Sequence, residues 1–470
     1  MNIINKIAIL SLSLIFQNTF AENIEIKGSV KDIQGSPIPD VVITDGINFT
    51  STDTEGEYHL TSDTDISRFV YISIPSGYDI PHNKNIATGY YKELTGKDYN
   101  FVLQKRKESS ENFIFIPISD PQMKNEVHLT RYKTETIPDI QETINYYNGL
   151  PCYAMLLGDI VFDEMNLFND YKDAMSELKN ITAFHVTGNH DLNLLYDDRD
   201  NSNEGNRYAE KDFEDHFGPI NYSLNIGKIH IIGMKDINYH KGKNYKEEFG
   251  KAQLEWLKKD LSYITPGTTV FINLHAPVFN SSEGETDSNT DDYAEFRSII
   301  SPYNVHLFEG HTHFFENNHL SPNLYEHNIG AACGAWWKGN VNRCGTPNGY
   351  MVVEVNGDNI KWYYKSTGMD KRKQFKTYRQ GEFISQKNYI VANVWDWDVD
   401  TTVEWYADGI YQGYMEQIQD EDQSFINQNG KALGYKTKHL FRAKPTNNTE
   451  FIEIKVTNRF GEIFIEKIPL

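Results

Sequence analysis

The segment Phe113–Gln122 reads FIFIPISDPQ, a nearly unbroken apolar run that passes straight into Ser-Asp-Pro-Gln. Such a run suits a strand buried within a sheet. The polar side chains at its carboxyl end matter as much, because ligands of α/β sheets bind outside the carboxyl ends of the strands. The pattern recurs four times. Tyr153–Leu157 leads into Gly158-Asp159, with Asp163 just beyond, and Ala183–Val186 leads to Gly188-Asn189-His190-Asp191. Val270–Leu274 is followed by His275-Ala276-Pro277, and Val305–Phe308 by Gly310-His311-Thr312-His313.

Between these runs, Ile137–Tyr147, Leu167–Leu178 and Gln253–Leu261 carry apolar residues at helical spacing. Strand-helix alternation predicts an α/β domain with buried sheets over residues 112–357. The polar stretch Asn280–Asp292 reads as an exposed loop. On either side the pattern is all-β. Residues 22–107 combine strand-like runs (Ile24, Ile26, Val41-Val42-Ile43) with frequent turn signals such as Gln34-Gly35 and Glu55-Gly56. A small β-sandwich is expected there, joined to the next domain by a charged linker, Lys105–Glu111. Residues 358–470 return to strands, among them Val403–Tyr406 and Ile410–Tyr414 on either side of Asp408-Gly409, and a second sandwich is expected.

A chain of 470 residues exceeds one ordinary domain, and 39% hydrophobic residues suffice for several cores. The net charge of −21 argues against a polymeric nucleic-acid partner. It leaves small phosphate esters open, because bound cations reverse the local field. The amino terminus reads as a signal peptide over residues 1–21: Lys6, the apolar run Ile7–Phe16, then Thr19-Phe20-Ala21. The run is shorter than the roughly 20 residues that cross a bilayer, and no later stretch could span one. Export to the periplasm or the exterior is therefore expected. Of three cysteines, Cys333 and Cys344 bracket one loop and admit two readings, a disulfide or free thiols.

Each strand-end motif alone has an ordinary explanation. Gly-Asp is a common turn, Asn-His-Asp after Gly can cap a helix, and His275 can be a satisfied core histidine. Gly-His-Thr-His says more, since alternating histidines of an extended segment share one face. Together they gather carboxylate, amide and imidazole groups, the ligand set of divalent transition metals, in one crevice.

The ordered set Asp120-x-Gln122, Gly158-Asp159, Gly188-Asn189-His190-Asp191, His275 and Gly310-His311-x-His313 resembles the calcineurin-like metallophosphoesterases over about 240 central residues. The resemblance implies a four-layer α-β-β-α sandwich with a dinuclear centre at one edge. It implies that Asp120, Gln122 and His313 hold one metal, that Asn189, His275 and His311 hold the second, and that Asp159 bridges them. His190 would stand by the leaving-group oxygen as general acid or electrostatic stabiliser. The implied reaction is hydrolysis of a small phosphorylated substrate, a phosphomonoester, phosphodiester or pyrophosphate, by in-line attack of a metal-bridging hydroxide. Non-catalytic binding or an envelope-structural role is the alternative, although every expected ligand position holds a competent donor.

Two features depart from the family pattern. Gln122 stands where histidine is usual, and its harder amide oxygen favours manganese, with magnesium, iron or zinc as other cations. Phe162 stands where an aspartate is frequent, so Asp163 either orients His190 or is a surface residue after a strand. The flanks resemble an N-terminal carboxypeptidase-regulatory-like domain (Gly28-x-Val30 to Asp53-x-x-Gly56-x-Tyr58) and a C-terminal sandwich of exported bacterial phosphoesterases (from Trp362). Trp336, Trp337, Asn348 and Tyr350 either line a substrate pocket or pack a loop. Trp395, Trp397, Trp405 and Tyr406 read as sandwich core rather than as a carbohydrate platform.

Overall fold

The computed structural model describes residues 23–107, 111–194, 205–240, 244–279, 291–446 and 448–470. The expected signal peptide lies outside them, as do parts of the expected linker and polar loop.

Two sheets packed face to face form the centre. One has seven strands in the order Asn359–Ser366, Gly349–Asn356, Asn112–Ile118, Cys152–Leu157, Ile181–Val186, Ile86–Ala87 and His82–Asn83. The other has six, in the order Tyr222–Ile226, Ile229–Gly233, Thr269–Asn273, Asn304–Glu309, Leu324–Asn328 and Glu316–Ser321. Asn112–Ile118, Cys152–Leu157 and Ile181–Val186 run parallel, as do Ile229–Gly233, Thr269–Asn273, Asn304–Glu309 and Leu324–Asn328.

The period-two geometry of a strand divides each apolar run between two cores. Phe113 and Phe115 face inward, where Phe115 meets Phe271 and Phe308 across the sheet interface. Their neighbours Ile114 and Ile116 face outward onto Ile140, Ile144, Phe168 and Tyr171 of helices Ile137–Tyr146 and Phe168–Met175. The second sheet repeats the division. Val270, Ile272 and Leu274 turn outward toward Leu254, Leu257 and Phe296 of helices Lys251–Leu261 and Asp291–Ile300. Both faces of each sheet are thus covered, as the continuous apolar runs require, and the layers are α-β-β-α.

The flanks are β-rich. Residues 23–103 build a three-stranded and a four-stranded sheet, and residues 375–469 build two four-stranded sheets around Phe375, Ile390, Val403, Ile452 and Ile454. Both flanks also reach into the centre. Ile86 pairs with Ala183 at one side of the seven-stranded sheet. At the other, Asn359–Ser366 pairs along its whole length with Gly349–Asn356. The expected boundary at 357/358 therefore falls in the turn of a central-sheet hairpin. Trp362 and Tyr364 of the second strand are buried in the inner core, which holds the strand in that sheet.

All three cysteines are free and buried, so the disulfide reading is set aside. Trp395 is buried, and Trp397 and Trp405 pack on the C-terminal core.

Candidate metal centre

Five strand ends meet at one edge of the paired sheets. Asp120 and Gln122 follow Asn112–Ile118, and Asp159 follows Cys152–Leu157. Asn189, His190 and Asp191 form a single 3-10 turn after Ile181–Val186. His275 follows Thr269–Asn273, while His311 and His313 follow Asn304–Glu309. The backbone there is under strain. Asp120, Gln122, Asp159, His311 and His313 all adopt left-handed φ, between 41° and 69°. Left-handed backbone costs a non-glycine residue of order 1–3 kcal/mol, and five of the seven donor candidates bear it.

Two glycines serve the site in different ways. Gly158, at φ 85°, makes the turn that carries Asp159. Gly188 is needed for close approach: a Cβ there would lie 2.3 Å from Asp159 N.

The seven donors are buried or nearly so and converge. His275 Nδ1 donates to Leu157 O at 2.7 Å, which leaves Nε2 as a lone-pair donor facing inward. That Nε2 lies 3.0 Å from Asn189 Oδ1, 3.1 Å from His311 Nδ1 and 3.4 Å from Asp159 Oδ1. On the other side, His313 Nδ1 donates to Gly334 O at 2.5 Å, and its Nε2 lies 3.5 Å from Asp120 Oδ1. Gln122 Nε2 donates to Asp159 Oδ2 at 2.8 Å. Asp159 therefore touches both groups, one oxygen each. A half-turn of the Gln122 amide exchanges its nitrogen for its oxygen at this point.

This arrangement fits two divalent cations. Carboxylate, amide and imidazole acceptors point at common centres, and Asp159, His275 and His311 alone can close around one ion. Acceptors that face one another at about 3 Å repel unless a proton or a cation lies between them.

Electrostatics follow from the burial. Burial pushes the Asp120 carboxyl up, but hydrogen bonding and charge from His313, then His275 and Ser119, hold it below the usual carboxylate range. Asp191, buried beside Asp159, is pushed well above that range. Its oxygens accept from Gly188 N at 3.0 Å and Val161 N at 3.2 Å, which pins the Asn189 turn.

His190 stands at the mouth. Its backbone N donates to Asp159 Oδ1 at 2.9 Å, and its Nδ1 lies 2.9 Å from Asp163 Oδ1. Phe162 stacks on the imidazole with centroids 3.9 Å apart, and Lys124 lies over the far ring at 4.5 Å. Of the four candidate pocket residues, three pack the loop. Trp337 donates to Pro121 O at 2.8 Å, Tyr350 donates to Asp139 at 2.7 Å, and Asn348 is buried. Trp336 alone is half-exposed, 4.9 Å from the His313 ring, with Arg343 4.7 Å from its centroid.

Several neighbours carry little or no sequence signal. Asp236 and Glu247 reach His275 and His311 from a hairpin, and Cys333 Sγ lies 3.8 Å from His313 Nδ1. Only Asp236 had a trace of the pattern, coming shortly after the apolar run Ile229–Gly233.

The calcineurin-like phosphoesterase profile matches residues 115–315. The profile for the N terminal of calcineurin-like phosphoesterases matches residues 24–106, and that for the C terminal matches residues 326–464. No curated protein matches the chain. Among solved structures, a dimetal phosphatase from Danio rerio is 13% identical, over 54% of this chain and 96% of its own, with a TM-score of 0.35. A purple acid phosphatase from yellow lupin (Lupinus luteus) seeds is 11% identical, over 70% of this chain and 67% of its own, at 0.38. A 5'-nucleotidase from Candida albicans is 11% identical, over 57% of this chain and 54% of its own, at 0.35. The matched profiles follow one another along nearly the whole described chain, and the chain belongs to the calcineurin-like phosphoesterases, metal-dependent hydrolases of phosphoric esters.

Proposed function

We propose that the chain hydrolyses a small phosphorylated substrate at a pair of divalent cations, one held by Asp120, Gln122 and His313, the other by Asn189, His275 and His311, with Asp159 shared. The observation that carries this reading is the convergence on His275 Nε2 of Asn189 Oδ1, at 3.0 Å, and His311 Nδ1, at 3.1 Å. When bound, the cations supply Lewis-acid neutralisation of the phosphoryl oxygens and activation of water for in-line attack.

The protein's own groups do the rest. Asp159 holds its two oxygens toward the two donor groups, and Gly188 lets the Asn189 turn approach it. Asp163 accepts from His190 Nδ1, so Nε2 is the nitrogen that faces outward to the leaving oxygen. From there it can deliver a proton or a hydrogen bond as the P–O bond breaks. Phe162 keeps the imidazole plane fixed and one face dry. Trp336 borders the same mouth and would meet the part of the substrate beyond the phosphoryl group.

The amide donors of Gln122 and Asn189 favour a hard cation, manganese first. Export to the periplasm or the exterior rests on Lys6, Ile7–Phe16 and Ala21. Amino-terminal sequencing of the mature protein tests the latter, and a mature chain that retains residues 1–21 would refute it.

The deciding experiment is an assay of the metal-stripped chain on bis-p-nitrophenyl phosphate and p-nitrophenyl phosphate with manganese, magnesium, zinc or iron(II), beside Asp159→Ala. Metal-dependent turnover that the substitution abolishes is expected. Turnover unaffected by the substitution would refute the assignment of the site.

A further inference from the structure

A hairpin of strands Ile237–His240 and Asn244–Glu247 stands beside the centre. Both its ends are tied to the site through carboxylates. Asp236, just before the first strand, accepts from His275 N at 3.1 Å and Ala276 N at 2.8 Å. Glu247, the last residue of the second strand, places Oε1 3.0 Å from His311 Nε2. Glu248 N donates to Asp236 O at 2.8 Å and closes the hairpin base, so one carboxylate sits on this hydrogen-bonded rung and the other on the residue next to it.

The consequence lies in the His311 ring. Its Nδ1 faces His275 Nε2 at 3.1 Å, inside the donor cluster. Its Nε2 faces Glu247. A neutral imidazole carries one N–H, and a carboxylate at one nitrogen draws that hydrogen to itself. Glu247 therefore places the N–H on Nε2 and leaves the lone pair on Nδ1, the nitrogen that looks into the site. The Tyr245 ring meets His311 edge-on at 6.4 Å. Carboxylate partners of this kind orient histidine ligands and raise their basicity, and losing them typically costs 10–100-fold in metal affinity.

We propose that Glu247 is a positioning residue of the centre, holding His311 with Nδ1 toward the cation shared with Asn189 and His275. The inference rests on the two-cation reading above and extends it to the hairpin, which no motif in the sequence connects to the site.

The test is calorimetric titration of the metal-free full chain with Mn²⁺, for wild type, Glu247→Met and Glu247→Gln. Methionine keeps the volume and removes the acceptor, while glutamine keeps an oxygen acceptor without the charge. Wild type is expected to bind two equivalents. Glu247→Met is expected to bind one of them 10–100-fold more weakly and the other unchanged. Glu247→Gln should recover most of the loss, and the melting temperature of all three metal-free proteins should agree. Two equivalents bound by Glu247→Met at wild-type affinity would overturn the inference and leave the two-cation reading standing. A wild type that binds none of Mn²⁺, Mg²⁺, Zn²⁺ and Fe²⁺ would overturn both. Should Glu247→Met not fold, a Glu247→Gln protein that binds as weakly as 100-fold below wild type would overturn it too, since the acceptor is present.

Discussion

Nδ1 of His190 lies 2.9 Å from Oδ1 of Asp163, and the ring of Phe162 covers the same imidazole at a centroid distance of 3.9 Å. The carboxylate and the aromatic ring fix the imidazole in two independent ways, one in its plane and one against its face. His190→Ala is expected to lower kcat by about 10²–10⁴-fold, the usual worth of a general acid, while metal content is unchanged. The loss should be larger for an alkyl phosphate than for p-nitrophenyl phosphate, whose leaving group needs no proton. Asp163→Asn should show the same leaving-group dependence at smaller amplitude. Equal losses on both esters would contradict the proton-donor role.

Left-handed backbone at five donor positions is offset when cations hold the donors together. Mn²⁺ added to the stripped protein at a hundred times Kd should stabilise it by about 2.7 kcal/mol per site. Asp159→Asn, which weakens both sites at once, should lose most of the rise in melting temperature. A rise as large as that of wild type would show the metal binding elsewhere.

Acid stability offers a separate test, away from the reaction. Burial pulls His185, His306 and His439 down to about 3, and His327 well below its ordinary value. The unfolded chain takes up protons on these groups below about pH 6.5, whereas in the fold His185, His306 and His439 take theirs up only near pH 3 and His327 well below its ordinary value. Stability contributed this way is full above pH 6.5 and falls as pH drops toward 3, by about 1.4 kcal/mol per pH unit for each histidine. His185, bonded to Tyr171 OH at 2.8 Å and stacked on Phe217, is the cleanest to replace. Urea unfolding of His185→Gln should show a slope between pH 6 and 4 that is shallower by about one such increment. An unchanged slope would mean that His185 titrates normally in the fold.

Trp336 is half-exposed beside His313, and the other tryptophan of its pair is buried. Binding of an inert phosphonate or phosphorothioate analogue should quench fluorescence in wild type and much less in Trp336→Phe. Trp336→Ala should raise KM several-fold with a smaller effect on kcat, since the ring touches His313 rather than the reacting atoms. Quenching that survives in Trp336→Phe would move the binding face elsewhere.

With Cys152, Cys333 and Cys344 buried and unpaired, a thiol reagent should find three groups in the unreduced, denatured protein and react slowly with the native one. A count of one would restore the Cys333–Cys344 bridge.

Much of this was legible in the sequence because the chemistry demands a recognisable join. Ile118 to Asp120, Leu157 to Asp159 and Phe308 to His311 each show a buried strand giving way to a donor, and the structure brings these ends together. Glu247 gave no such sign. It contacts His311 from the end of a short hairpin, and nothing local distinguishes it from the adjacent Glu248. Strand Glu316–Ser321 was equally hidden, since ENNHLS is polar and pairs at the sheet edge. Asn359–Ser366 reads as a strand from its sequence, but only its pairing shows to which sheet it belongs. The purpose of Gly188 also needed coordinates, because a glycine that makes a turn and one that admits a neighbour look alike in a sequence.

The strands that both flanks lend to the seven-stranded sheet limit how this architecture could be recombined. Severing the chain at 357 would leave Gly349–Asn356 as a bare edge, open to pairing with a second molecule. A replacement C-terminal region would have to bring its own strand in matching register, with large aromatics at the positions of Trp362 and Tyr364. The three matched regions are therefore stitched together through one sheet, and transplanting the hydrolase means transplanting its borrowed edges.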